Sequence, residues 1–191
     1  MFFPSNCPGC GVLRVGRCTE CARSLALVAT SRSATAPLVH VGPPRQMVLG
    51  LKYRNARHAA SVLAPAIARS VNEPGLLDVV TWAPTSARRI ADRGYDPAEL
   101  LARAVANLLG LPCRRMLHRG RKSSPQSGKN RSARLIGPQF VAKPLWRNPR
   151  VLLIDDVTTT GATLREGASA LLAVGAASVQ CLAATATPPS G

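Results

Sequence analysis

The residues best placed to do chemistry are two adjacent carboxylates at the end of an apolar run, followed at once by a hydroxyl-rich loop around a glycine. They read Val151-Leu152-Leu153-Ile154-Asp155-Asp156-Val157, then Thr158-Thr159-Thr160-Gly161-Ala162-Thr163-Leu164. The run Val151–Ile154 has the continuous apolar character of a buried parallel strand, and open α/β sheets bind ligands beyond the carboxyl ends of such strands. The loop opens a helix, whose first backbone N–H groups lack intrahelical partners and suit a phosphate. Gly161 lets the backbone approach closely, and the threonine hydroxyls add donors. The two carboxylates would repel that same phosphate; their natural partners are ribose hydroxyls, from which they accept charge-assisted hydrogen bonds. Asp155 and Asp156 with Thr158, Thr159, Thr160, Gly161, Ala162 and Thr163 therefore describe a site for a sugar 5-phosphate, with the two aspartates as the catalytic candidates. A nucleotidase-type Mg²⁺ site is one rival, and a structural threonine turn is the plain alternative. A P-loop ATPase would need Gly-x4-Gly-Lys-Ser/Thr; Gly128-Lys129 is followed by Asn130 and lacks the first glycine.

A second constellation opens the chain. Cys7-x2-Cys10 and Cys18-x2-Cys21 are two close pairs separated by seven residues. Each pair offers two thiolates to one tetrahedral zinc, and Gly11 permits the tight turn after Cys10. Four ligands leave no open position, so the metal would be structural and would supply the folding free energy of a unit with almost no core. Arg14, Arg17 and Arg23 are at hand to offset the net −2 of the site. Iron is the competing metal, a redox dithiol would need only one pair, and a knuckle of this kind can also touch nucleic acid. Cys113 and Cys181 stand alone in apolar surroundings and read as core residues. His40, His58 and His118 show no metal or triad spacing, and Trp82 and Tyr53 read as packing residues.

The charge is unusual. Twenty-five Lys and Arg face nine Asp and Glu, a formal net charge of +16. Between Leu100 and Ile154 no acid occurs, whereas twelve bases do. Such a field attracts polyanions, either nucleic acid or a multiply phosphorylated small molecule, although a solvated basic surface gives the same count. Seven aromatic side chains limit any groove built on base stacking. The basic run Arg119–Arg134 reads as a lid over an anionic leaving group, a DNA-contacting surface or a solvated loop.

These residues need elements to position them. The composition, 46% hydrophobic and 18% charged, is that of a folded protein. No apolar run approaches the roughly 20 residues of a membrane helix, and Met1-Phe2-Phe3-Pro4 lacks a signal peptide's basic start, so a cytoplasmic location is expected. The division expected is a four-cysteine unit over 1–23, a linker or hood over 24–46 with a short strand near Leu38–Val41, and a main domain over 47–191. The patterns predict a helix over Asn55–Val71 kinked or divided at Pro65, a strand over Asp78–Ala83, and a helix over Pro97–Leu109 capped by Asp96 and stopped by Gly110. They also predict strands at Cys113–Leu117, Val151–Ile154 and Ser178–Ala184, and a helix over Ala162–Val174. Alternation of this kind implies an α/β fold with a mainly parallel sheet.

With these motifs in view, the segment 151–164 resembles the ribose-phosphate signature of type I phosphoribosyltransferases. The four cysteines, Leu51-Lys52-Tyr53, Ala83-Pro84-Thr85-Ser86-Ala87-Arg88-Arg89, Arg93-Gly94-Tyr95, Gln126 and Arg131 narrow the resemblance to the ComF family of competence-related proteins, over nearly the whole chain. The resemblance implies that phosphoribosyl pyrophosphate is bound, its ribose hydroxyls by Asp155 and Asp156 and its 5-phosphate by Thr158 to Thr163. It also implies that Thr85, Ser86, Arg88 and Arg89 contact the pyrophosphate, with Lys52 and Arg93 nearby as further anion contacts and Mg²⁺ bridging pyrophosphate and ribose. A ComF-like role implies single-stranded DNA as a partner and cooperation with a DNA-translocating ATPase; an active transferase with an unknown acceptor is the alternative. Two places depart from the family pattern: Asp96-Pro97, where Asn-Gln is common, and Gly137-Pro138-Gln139-Phe140.

Overall fold

The computed structural model describes residues 5–14, 18–27, 35–120, 140–145 and 147–188. Residues 121–134 of the basic run, with Gln126 and Arg131, lie outside the described residues, as do Gly137, Pro138 and Gln139.

The chain begins with a small hairpin, β1 (Ser5–Asn6) against β2 (Leu13–Arg14), whose tip carries Cys7 and Cys10. Helix α1 (Thr19–Leu27) follows, with Cys18 and Cys21 at its start. After β3 (Leu38–Val39) comes α2 (Gly42–Tyr53), a helix whose first five residues, Pro43-Pro44 among them, lie in the stretch expected to be linker. These prolines occupy its first turn, where backbone N–H groups have no helical acceptor and a fixed φ favours the helix, while Met47, Val48 and Leu51 supply its buried face. The expected boundaries after residues 23 and 46 thus fall inside α1 and α2.

Helix α3 (Ala59–Arg69) starts four residues later than expected and runs on through Pro65, with Leu63, Ala64 and Ile67 on its buried face. Strand β4 (Val79–Trp82) leads through Pro84 into the short α4 (Ala87–Arg93), which periodicity had not revealed. Helix α5 (Pro97–Leu109) has the expected bounds. Asp96 accepts from the Ala98 N–H at 3.1 Å, and Gly110 closes it at φ +68. The strand expected over Cys113–Leu117 is instead a single parallel bridge from Cys113 to Val80, followed by β5 (Leu117–Arg119) paired antiparallel with β6 (Phe140–Ala142). Then come β7 (Arg150–Thr158), α6 (Ala162–Ala173) and β8 (Ser178–Ala186).

Four strands form one parallel sheet in the order β3-β8-β7-β4. Period-two alternation divides their side chains between two faces. Val80, Trp82, Leu152, Ile154, Leu182 and Ala184 join the core under α2, α3 and α5, whereas Val79, Val151, Leu153 and Ala183 meet Leu164 and Leu171 of α6 and Leu117 of β5 on the other. Gly167 of α6 is required there: a Cβ would stand 2.9 Å from Leu153 Cδ2. Cys7, Cys18, Cys21 and Leu25 enter the first core beside Met47, so the cysteine unit shares the main core rather than lacking one. Among the described residues no helix is long and apolar enough to cross a membrane.

Candidate ribose-phosphate site and four-cysteine centre

Strand β7 is the axis of the site. On one side it pairs with β4 only as far as Ile154 opposite Trp82, with a last bond from the Ala83 N–H to the Ile154 carbonyl at 2.9 Å. On the other side it stays paired with β8 to Thr158 opposite Ala186. The chain after β4 turns away through α4 and α5, whereas β7 continues through α6 to β8, so the connections diverge beyond their carboxyl ends, the position at which this topology makes a crevice. Such a point of diverging connections is where open parallel sheets bind ligands. The Asp155-Asp156 pair emerges in this crevice, and the segment Thr85 to Arg89 follows β4 into it.

Asp155 Oδ1 accepts from the Asp156 N–H at 2.7 Å, which fixes its carboxylate against the strand. Burial, together with the neighbouring Asp156 carboxylate, pushes the Asp155 carboxyl well above the ordinary range, against the pull of that N–H and of Lys52. Asp156 forms an ion pair with Lys52 Nζ at 2.7 Å. Lys52, implied by the resemblance to contact pyrophosphate, thus stands on the acidic pair from the last turn of α2.

The threonine loop is unevenly exposed. Thr158 is buried within the strand, whereas Thr159 and Thr160 are exposed and Gly161 sits at the N-terminus of α6 with φ +74. The positive φ makes glycine the fitting residue, and a Cβ would also lie 3.0 Å from Arg165 Nη1. Arg165 donates to the Thr160 carbonyl at 2.6 Å, tying the loop to its helix. The arrangement leaves the first N–H groups of α6 beside exposed hydroxyls, a cradle for an anion.

Across the crevice, Ser86 caps α4 by accepting from the Arg89 N–H at 3.4 Å. Arg88 and Arg89 are exposed in its first turn; Arg93, in its last, lies over the Tyr53 ring at 5.1 Å. Tyr53 is 71% exposed and so is not the packing residue expected; Trp82, 4% exposed, is. Tyr95 lies under Arg57 at 4.5 Å and donates its hydroxyl to the Leu51 carbonyl at 2.6 Å.

Sequence reasoning missed three members of this neighbourhood. Asp96 was read only as a cap, yet its second oxygen accepts from the Thr85 N–H at 2.9 Å and so anchors the loop after β4 to α5. It is 3% exposed, and burial raises its pKa despite those two N–H bonds. His40 was set aside as bland, but its Nδ1 lies 2.8 Å from the Thr185 hydroxyl, and Thr185 donates to the Asp156 carbonyl at 3.4 Å. That chain of bonds assigns the proton to Nδ1. Burial, then Lys52 and Arg45, lowers the His40 pKa, with Asp156 opposing. A threonine directly after the apolar run Leu182–Ala184 was the available signal for Thr185; a lone histidine gave none.

The four cysteine sulfurs lie within 4.8 Å of one another, and Cys10 and Cys18 Sγ are 3.8 Å apart. A tetrahedral zinc with bonds of about 2.3 Å separates its sulfurs by about 3.8 Å, so the donor set fits that metal. Gly11 has φ +78 and donates to the Cys7 carbonyl at 2.8 Å, the tight turn expected there. Burial pushes the Cys7 thiol up, but N–H groups of Cys10 and Gly9 outweigh it and bring its pKa to about 7. Burial and the adjacent thiols push Cys21 strongly upward. Four thiolates this close need a cation between them. Of the arginines expected to offset the charge, Arg23 is exposed, while Arg17 and the Arg14 side chain lie outside the described residues. Cys113 and Cys181 pack partly buried against the two cores, and burial raises Cys181 to about 11.

The chain is similar to the DNA utilization protein YhgH of Salmonella typhimurium, 28% identical over 95% of this chain and 85% of that protein. It is also similar to the Escherichia coli protein of the same name, 29% identical over 94% and 84% respectively. These relatives accord with the ComF resemblance. Among solved structures, the allosteric regulatory enzyme of purine biosynthesis matches at 18% identity and a TM-score of 0.48, over 72% of this chain. This chain spans 30% of that enzyme's length. The phosphoribosyl transferase domain family matches residues 90–190, from the end of α4 through β8. The chain belongs to the phosphoribosyl transferase domain family.

Proposed function

We propose that the crevice between β4 and β7 binds phosphoribosyl pyrophosphate, and that the chain serves DNA uptake or utilisation by binding single-stranded DNA. The observation that carries the first half is one parallel register. It brings Asp155-Asp156 and the Thr158–Thr163 loop of β7 beside the Thr85–Arg89 segment after β4. In this reading Asp155 and Asp156 accept from the ribose hydroxyls, and the loop with the N-terminus of α6 holds the 5-phosphate. Thr85, Ser86, Arg88 and Arg89 face the pyrophosphate, with Arg93 at the rim. Lys52, paired with Asp156, is within reach of the incoming anion and would turn to it. Mg²⁺ would enter with the pyrophosphate, neutralising its charge, with the aspartates as the available carboxylates. Zinc holds the cysteine unit.

The DNA half draws support from the relatives named as DNA utilization proteins and the net charge of +16. The chain would then act in the cytoplasm beside a DNA-translocating ATPase. The second reading is an active Mg²⁺-dependent transferase, which the raised Asp155 and the complete acidic pair favour.

Calorimetric titration with phosphoribosyl pyrophosphate and Mg²⁺ tests the site. Saturable binding is expected, weakened roughly ten- to a hundredfold when Asp155→Asn and Asp156→Asn are combined, the worth of one or two charged hydrogen bonds. Unchanged binding by the double variant would remove the ribose assignment. Release of pyrophosphate with any nucleobase or amine would favour the transferase reading.

A further inference from the structure

A second concave surface lies at the opposite end of the sheet. It opens where β4 and β7 begin, so along β7 it is separated from Asp155 by about 16 Å, five residues at about 3.3 Å each. The cleft has a volume of about 740 Å³. Its cations are Arg114, Arg115, Lys143 and Arg147, with His118 beside them, all exposed. These come from three separate stretches: the segment after the Cys113 bridge, the end of β6 and the turn before β7. That turn holds Arg147 at φ +72 and Asn148 at φ +43, a left-handed conformation that side chains disfavour.

The cleft has one carboxylate, Asp78, and it is already engaged. Its Oδ2 accepts from the Arg150 N–H at 2.7 Å and from Arg150 Nε at 3.3 Å. None of the four cations forms an ion pair with a described residue. Four like charges converge on one hollow without compensation, and each raises the electrostatic cost of the others until an anion enters. Val79, Met116 and Leu145 give the hollow apolar wall as well. The volume is that of a small-molecule pocket, too narrow for a duplex and sufficient for roughly two nucleotides of a single strand. Cations supplied by three separate stretches of chain can meet successive phosphates of one strand, and guanidinium planes also stack on unpaired bases.

We infer that the basic cleft formed by Arg114, Arg115, Lys143 and Arg147 binds the phosphodiester backbone of single-stranded nucleic acid, at a site separate from the ribose-phosphate crevice. The inference rests on the nucleic-acid half of the proposed function and adds the surface that performs it.

The test is fluorescence anisotropy with a short labelled oligothymidylate across a salt series. It compares the full chain, the Arg114→Gln/Arg115→Gln/Lys143→Gln variant, and Arg69→Gln as a control for an exposed charge at the end of α3. The triple variant is expected to lose at least roughly tenfold in affinity at low salt. Its log–log salt slope should be shallower by about 2, three phosphate contacts at about 0.7 each. Arg69→Gln should bind like the parent, and phosphoribosyl pyrophosphate titration should be the same for all three. Parental affinity in the triple variant would overturn the cleft assignment and leave DNA binding standing elsewhere. Equal loss in Arg69→Gln would show charge alone at work and overturn it too. Displacement of the oligonucleotide by equimolar inorganic pyrophosphate would make this a small-anion site instead. An oligonucleotide that fails to bind even the parent chain would remove the DNA half of the function together with this inference.

Discussion

At the scale of single residues, Asp155 is caught between opposing demands. Its charge is wanted by a ligand and resisted by its surroundings, since burial and Asp156 both favour the protonated form. A carboxyl raised in the folded state holds its proton more tightly there than in the unfolded chain. Stability is therefore lost as pH rises from the unfolded value, about 3.9, through the raised folded value, and the full penalty is present above it. Asp155→Asn removes that penalty while keeping an oxygen for the Asp156 N–H. Thermal melts should show Asp155→Asn more stable than the parent at neutral pH, with the gain shrinking as pH falls toward the unfolded value. A variant less stable across the whole range would mean that the carboxylate is held by favourable bonds, not strained. Asp96 carries a raised pKa as well, but there substitution also removes a helix cap and the Thr85 anchor, so the two aspartates should respond with opposite signs.

Between residues and molecule stand the elements, and the cysteine unit is the informative one. Its hairpin and α1 are short, but Cys21, Leu25 and Met47 join one core, and a Cβ on Gly9 would meet Cys21 Sγ at 2.8 Å. Packing therefore joins the unit to the main core, and a metal on its four cysteines would add to that hold. The purified chain is expected to carry one zinc per molecule. Chelation should expose the amides of residues 5–27 to hydrogen exchange while those of β7 and β8 stay protected. Loss of protection throughout the sheet on chelation would show the unit to be integral to the main fold, and a chain free of metal that exchanges identically with and without chelator would remove zinc. The sequence made this element legible because cysteine spacing is a local property. It hid α2, because Pro43-Pro44 signals a linker and a helical first turn alike. It hid α4 because seven residues with no buried member show no periodicity.

For the whole molecule, the parallel sheet separates two concentrations of chemistry. The acidic pair and the threonine hydroxyls collect at the carboxyl ends, and at the amino ends of β4 and β7 lie four cations with no ion pair among the described residues. Two sites about 16 Å apart along a rigid strand compete only through the general field, which salt screens within about 8 Å at physiological strength. Phosphoribosyl pyrophosphate with Mg²⁺ and oligothymidylate are thus expected to bind together, each changing the other's affinity by less than about threefold. A tenfold or greater mutual loss in calorimetry would mean that one anion site serves both.

What the sequence determined by itself are the features carried by contiguous residues: the cysteine spacing, the cap and stop of α5, the apolar run before Asp155-Asp156, and the threonine loop with its glycine. Each is a local pattern whose chemistry survives without knowledge of its neighbours, and together with the strand–helix alternation they implied an α/β fold and carried the resemblance to phosphoribosyltransferases. Only the tertiary structure decided which distant residues meet. Lys52 reaches Asp156, Asp96 holds Thr85, and His40 joins Thr185, because strand order and register set those encounters. The same holds for exposure. Among the described residues no element packs over Tyr53 or the basic cleft, and the types and order of residues leave that packing undetermined.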